Sequence, residues 1–335
     1  MNATPPVGGP AWPDEVTGLL ARCTFPPPGA ALTCAVSGGP DSLALLVLAT
    51  AAGCRVTAVH VDHGLRAGSA AEADVVAAAA DRFGAAFRSD RVAVGDGANL
   101  EARARAARFA VLPPAVATGH TMDDQAETVL ANLLRGAGLD GVGAMRPGPE
   151  HPLLAVRRTE TIAVCRAVGL VPVVDPSNED PRHLRNRVRR EVLPLLAELG
   201  RRDPVPLLAR QAAVAREDAA LLDALAAEAV PDPADAGRLA AAPLPLARRA
   251  LRRWLRQSAV TAATGGRGPG GGADRHPPSL AEIDRVLAVA RGGAVATELA
   301  GGGRVRRSRG RLVVGSGADP GSPSAVPAAA VADGE

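Results

Sequence analysis

Apolar residues in this chain fall into two patterns: short unbroken runs, and longer stretches where they recur every three or four positions. Residues 32–36 form a run of five, apolar but for Thr33, and read as a short buried strand. A polar turn follows at 37–42, and residues 43–50 continue as an apolar helix stopped by Gly53. The rhythm then repeats: strand 55–62, helix 70–83, strand 87–94, helix 100–112, strand 115–118 and helix 123–134. Thr159 reads as the cap of a helix over 160–168, and 171–175 as a fifth strand. Strands alternating with helices predict an α/β fold, a Rossmann-like parallel sheet with helices on both faces.

The pattern changes near residue 201. Helices are expected over 204–229 and 247–257, then a Gly-Pro linker over 260–278 without regular structure. A helix over 279–291 with Ser279 as its cap and a small Arg-studded hairpin from 294–299 and 303–314 follow. The expected organisation is therefore a flexible start (1–15), an α/β part (16–200), a helical linker leading into a small basic α+β domain (201–315), and a disordered tail (316–335).

Composition narrows this picture in three ways. Aromatics make up only 2% and tyrosine is absent, so Leu, Val and Ala must fill the cores. There is no lysine, so every basic side chain except histidine is Arg, and the net charge is a modest +3. Cys23, Cys34, Cys54 and Cys165 show no C-x-x-C spacing, which argues against a zinc ribbon or dithiol motif, and Cys165 stands next to no motif. The first residues lack both a basic and an apolar signal region, and no run is long enough to span a bilayer, so a cytoplasmic protein with no membrane partner is expected.

In a parallel sheet ligands gather beyond the carboxyl ends of the strands, and three polar clusters fall there. The first is SGGPDS (Ser37, Gly38, Gly39, Pro40, Asp41, Ser42), where the glycines let backbone approach a phosphate, Ser42 can cap the helix and its N-terminus offers N–H groups. With no Lys it is not a Walker A loop, and it lacks the G-x-G-x-x-G spacing of a dinucleotide fingerprint. The second, HVDHGLR, carries Asp62, His63 and Arg66 at the end of the second strand. In the third, GHTMDDQAET, Asp124 and Glu127 lie three apart and share one helix face. They could hold a cationic substrate or Mg2+, or simply complement the helix dipole. Eight arginines oppose three acids between Arg182 and Arg210, a density that suits phosphate contacts with RNA but equally a solvated helix face.

SGGPDS resembles the S-G-G-x-D-S loop of PP-loop enzymes, which split ATP between its α and β phosphates. The order SGGPDS, HVDHGLR, GHTMDDQAET and DPSNEDPRHLRN is similar to that of the tRNA(Ile)-lysidine synthetase family, over about residues 32–196. Beyond this the match is only of kind, a helical linker and a small basic domain.

The resemblance implies an ATP-dependent ligase that forms a carbon–nitrogen bond. The C2 carbonyl oxygen of the wobble cytidine attacks the α-phosphate, pyrophosphate leaves, and the amine of free L-lysine then displaces AMP, converting the codon read from AUG to AUA. In that scheme Ser37, Gly38, Gly39, Pro40, Asp41, Ser42 and His63 bind ATP, and Asp41 and Asp62 could hold Mg2+. Asp124, Glu127 and Arg105 are candidates for lysine, with one acid free to take a proton, and Arg66, Arg185, Asn186, Arg187, Arg189 and Arg190 for tRNA. Expected partners are tRNA(Ile) with a CAU anticodon, free L-lysine and, as an option left open, a second copy of the chain in a homodimer. The rival reading is a PP-loop tRNA thiolase, which would use C-x-x-C pairs or a cysteine beside the loop.

Overall fold

The computed structural model describes residues 11–62, 69–92, 103, 107, 110–173, 180, 182–264, 278–300 and 303–316. The chain divides into two compact units, residues 1–217 and 218–335.

The first unit is built on three parallel strands, β1 (Ala31–Ala35), β2 (Arg55–Asp62) and β3 (Ala86–Arg91), in that order across the sheet. Ala31–Ala35 pairs with Arg55–Val59, and Thr57–Asp62 with Ala86–Arg91. On the open side of β1, Ala117 forms a single parallel bridge to Cys34, with the Ala35 amide donating to Ala117 O at 2.9 Å and the Ala117 amide to Thr33 O at 2.8 Å. The strand expected over 115–118 is thus only a one-residue bridge. It is enough to align the residues after Ala117 with the carboxyl ends of β1 and β2.

Helices α1 (Asp14–Leu20), α2 (Pro40–Ala51) and α3 (Ser69–Arg82) complete this layer. α2 explains its own sequence: every residue from Ser42 to Ala49 is buried, so it carries no polar face. Leu43, Leu45, Leu46 and Leu48 are fully enclosed, each contributing about 1.5–3 kcal/mol on the usual scale of side-chain burial. They pack with Leu32 and Val36 of the β1 segment, Val56 of β2, Val76 of α3 and Val16 of α1. A separate small cluster joins Val59, Leu112 and Val116.

Next come α4 (Met122–Leu134), a single turn α5 (Leu139–Val142), α6 (Arg158–Ala167), α7 (Leu184–Arg187), a π-helical turn over Val188–Val192, and α8 (Leu193–Gly200). α6 brings Val164 and Cys165 into the core around α2. Its start differs from the expected Thr159 cap: Thr159 lies inside the helix, and the Arg157 amide donates to Glu160 Oε2 at 2.7 Å. A fifth strand over 171–175 is not present among the described residues, where 171–173 are irregular. Val173 instead donates its amide to Gly38 O at 2.9 Å, tying this segment to the loop before α2. The expected helix 100–112 lies mostly outside the described residues.

Helix α9 (Pro204–Ala229) contains the division between the units. The second unit holds α10 (Ala236–Ala241), α11 (Leu244–Thr264), α12 (Leu280–Ala290) and an antiparallel sheet β4 (Ala296–Glu298), β5 (Gly303–Ser308), β6 (Arg311–Ser316). Helix α11 runs through Thr264, so the first residues of the expected linker are helical. Ser279 caps α12 as expected, its hydroxyl accepting from the Glu282 amide at 3.2 Å. The expected hairpin has gained a third strand. Its β5–β6 turn is Arg309-Gly310 with φ of 49° and 78°, the two left-handed residues that a type I′ turn requires. Leu239, Leu251, Ile283, Val286 and Val305 form the core of this unit. Among the described residues no helix is long and apolar enough to cross a membrane.

Candidate active site

The site lies at the carboxyl end of β1. Gly38 has φ of +87°, a conformation that favours glycine, and a Cβ there would lie 3.0 Å from Val173 Cγ2. Gly39, not Ser42, is the N-cap of α2. The Ser42 hydroxyl donates its single proton to Gly39 O at 2.9 Å and accepts from the Ser37 amide at 3.1 Å. Ser37 Oγ is 3.2 Å from Ser42 Oγ and must be the donor there, because the proton of Ser42 is already used. Ser42 therefore braces the loop and takes both donors of Ser37, while the first-turn N–H groups of α2 remain for an anion.

Gly119 opens the segment before α4, and a Cβ on it would lie 2.7 Å from Asp41 O and 3.0 Å from Ser42 N. Only glycine lets this segment approach the first turn of α2. Two residues on, Thr121 caps α4 by a reciprocal box: its amide and hydroxyl donate to Asp124 Oδ2 at 2.9 and 2.8 Å, and its oxygen accepts from the Asp124 amide. The neighbouring acid, Asp123, turns the other way and accepts the Arg158 amide at 2.8 Å, fixing the start of α6.

That anchoring aims Arg158 into the site. Its Nε donates to Asp41 Oδ2 at 3.0 Å, its Nη1 to Glu127 Oε1 at 3.1 Å and its Nη2 to Asp124 Oδ1 at 2.7 Å. One guanidinium thus joins the phosphate loop to both acids of the helix pair. Thr161 donates to the other oxygen of Asp41. Glu127, only 1% exposed, is also held by Arg189, whose Nε and Nη2 lie 2.6 and 3.1 Å from its two oxygens.

The two aspartates differ in acidity for a visible reason. Burial works against the charge of Asp124, but Arg158 and the Thr121 amide outweigh it, so its pKa lies below the usual value. At Asp41 burial wins over Arg158 and Thr161, and the pKa is raised. Burial would lower the pKa of Arg158, yet the three carboxylates hold it well above the ordinary range.

A cavity of about 500 Å³ opens over these groups. Ser37, Asp41, Asp124, Arg158 and Arg189 line its polar side, and Val59, Val61 and Leu112 an apolar wall. A phosphate loop, an apolar wall and a carboxylate cluster in one cavity suit a nucleotide beside a cation.

A family model described as a PP-loop domain matches residues 16–196. A protein of Nocardia farcinica named tRNA(Ile)-lysidine synthase is 44% identical over 320 residues, which span 89% of this chain and 96% of that one. The chain belongs to the tRNA(Ile)-lysidine synthase family. Relatives of the same name from Rhodococcus jostii and Mycolicibacterium paratuberculosis are 42% identical over 86% of this chain and 47% identical over 69% of it, and these matches cover 90% and 76% of the relatives.

Several residues that the sequence suggested for a lysidine synthase site lie elsewhere or beyond view. His63, Arg66 and Arg105 fall outside the described residues. Asp62 does not line the cavity and lies 3.7 Å from Arg91. The two carboxylates considered for Mg2+ are thus both engaged, Asp41 by Arg158 and Thr161 and Asp62 by Arg91. Among the described residues no group of three or more His, Cys, Asp or Glu could hold a metal ion.

Of the residues considered for tRNA, Arg185, Arg187 and Arg190 are exposed, with Arg187 paired to Glu191 at 2.9 Å. Arg189 turns into the cavity instead, and Asn186 is buried, donating to Asp180 O at 2.8 Å. His120, expected to be structural or a base contact, lines the cavity with its Nδ1 2.7 Å from Thr118 Oγ1.

Arg158, Thr161 and Gly119 had no functional reading in the sequence. Nothing distinguishes Arg158 from its neighbour Arg157, which binds Asp123 and Asp203 outside the cavity. Cys165 is a correction: far from every motif in the chain, its Sγ lies 3.4 Å from Pro40 O of the loop. Burial and the nearby Asp41 push this thiol up to about 12, so it is protonated and poorly nucleophilic at neutral pH.

Proposed function

We propose that this chain ligates free L-lysine to C2 of the wobble cytidine in tRNA(Ile) with a CAU anticodon, using ATP and releasing pyrophosphate and AMP. The supporting observation is the bridge from Asp41 of the phosphate loop through Arg158 to Asp124, all three lining one cavity, and to the buried Glu127. Attack at the α-phosphate requires β and γ to leave together, and the N-terminus of α2 would hold that departing anion. The apolar wall of Val59, Val61 and Leu112 suits a base. Mg2+ would arrive on the phosphates of ATP, with water as most of its remaining ligands, and would offset phosphate charge there.

Asp124 and Glu127 are the proposed seat of a lysine ammonium. The lowered pKa of Asp124 suits it to hold a cation rather than to take a proton from it. Exposed Arg185, Arg187 and Arg190, together with the basic second unit, would supply phosphate contacts to the tRNA. The thiolase reading loses support at Cys165, whose thiol is buried and protonated.

Incubation of the protein with radiolabelled lysine, ATP, Mg2+ and an unmodified tRNA(Ile) transcript tests the proposal. Label should enter the RNA only with ATP and only when the wobble base is cytidine. ATP–pyrophosphate exchange triggered by RNA without lysine incorporation would retain PP-loop chemistry and reject lysine as the nucleophile.

A further inference from the structure

The ion pairs around Arg158 join three carboxylates, Asp41, Asp124 and Glu127, to two guanidiniums, Arg158 and Arg189, a cluster one positive charge short of neutral. Arg158 is the only member of this set that touches both the phosphate loop and the helix acids. Each nitrogen of its fork spends an N–H on a different carboxylate, and the guanidinium cannot shed its proton to adjust. The side chain is also 20% exposed and lines the cavity, so an anion entering at the loop competes for it directly.

We propose that Arg158 is a positioning residue that couples the two halves of the site: it masks Asp124 and Glu127 until nucleotide phosphates draw it away. This deepens the proposed function and rests on its placement of lysine at those acids. In the free protein Arg158 supplies part of the counter-charge that an ammonium would supply. A triphosphate at the N-terminus of α2 attracts the guanidinium and leaves the acids short of positive charge. Three carboxylates then share the single guanidinium of Arg189, and Glu127, buried at 1% exposure, cannot make up the difference from water, so a cation is favoured there. An anion at one end therefore raises affinity for a cation at the other, and by linkage lysine raises nucleotide affinity by the same factor. The device favours loading of ATP before lysine.

Equilibrium dialysis of radiolabelled L-lysine against the full-length protein, with and without Mg2+ and α,β-methylene-ATP, reads the coupling. The wild-type protein should bind lysine about tenfold more tightly with the analogue, a typical size for such coupling. Arg158→Met should bind lysine without nucleotide as tightly as the loaded wild type, and its coupling factor should fall to about one. Arg158→Lys keeps the charge on a single ammonium that cannot fork to three carboxylates, so its coupling should be reduced; it carries the test if Arg158→Met does not fold. A merely structural role for Arg158 would weaken lysine binding in both states and leave the ratio unchanged, which overturns the proposal. Equal lysine affinity with and without analogue in the wild type also overturns it while leaving the lysine seat intact. Absence of lysine binding to the wild type in either state overturns the seat itself.

Discussion

Gly119 stands against the backbone of Asp41, close enough that a Cβ would lie 2.7 Å from the carbonyl oxygen and 2.8 Å from the carbonyl carbon. Both are main-chain atoms in the first turn of α2 and cannot swing aside as a side chain could. Gly119→Ala should thus displace the phosphate loop relative to α4. The expected result is a folded protein whose kcat/KM for lysine incorporation falls at least about tenfold, or about 1.4 kcal/mol in transition-state stabilisation. Steady-state kinetics beside a circular dichroism melt checks this; full activity would show that the close approach is dispensable.

Asp124→Asn should still bind an ATP analogue and should lose lysine incorporation. It should also alter the acid limb of stability. The folded pKa of Asp124 lies below the ordinary 3.8, so its stabilising effect is complete above that value and fades as pH falls toward the folded pKa. Asp41, whose pKa is raised, contributes in the opposite sense, its effect being lost as pH rises through the folded value. Urea unfolding across the acid range should show a flatter decline for Asp124→Asn than for wild type, and a steeper one for Asp41→Asn.

Glu127→Gln keeps the shape of a side chain that is 1% exposed and removes the charge shared by Arg158 and Arg189. The substitution breaks two ion pairs at a side chain shielded from water but leaves two carboxylates facing two guanidiniums, so the first unit should lose about 2 kcal/mol, the scale of hydrogen bonds to charged groups. A denaturant midpoint equal to that of wild type would show that water already relieves this cluster.

The thiols of this protein should be slow. Burial is the largest cause raising the pKa of all four, with Cys23 and Cys165 pushed up to about 12. Native protein should react with iodoacetamide at neutral pH far more slowly than urea-unfolded protein, and Cys165→Ala should retain lysine incorporation. Loss of activity on that substitution, with folding intact, would return sulfur chemistry to consideration.

Local pattern was sufficient for much of this molecule. An apolar run, a Gly-Gly turn and a second apolar run dictate strand, loop and buried helix, because burial and backbone freedom act over a few residues. The spacing of Asp124 and Glu127 put both on one helical face, and Ser279 announced the start of α12. Weaker local signals failed where tertiary pairing decided. The residues around Ala117 and Val173 have strand-like composition, but a strand needs a neighbour in register, and among the described residues each finds only isolated backbone bonds.

The sequence by itself determined the loop, the order of the elements and the presence of two acids at the same sheet end. It could not determine that α6 packs against α2, and on that packing the site depends. There Arg158 meets Asp41 across 117 positions of chain and Asp124 across 34, while the adjacent Arg157 turns to Asp123 and Asp203. Periodicity ranks residues by the face of their own helix. Which arginine becomes the counter-ion of a buried cluster is set by where two helices place their side chains in space, and that is a property of the folded chain alone.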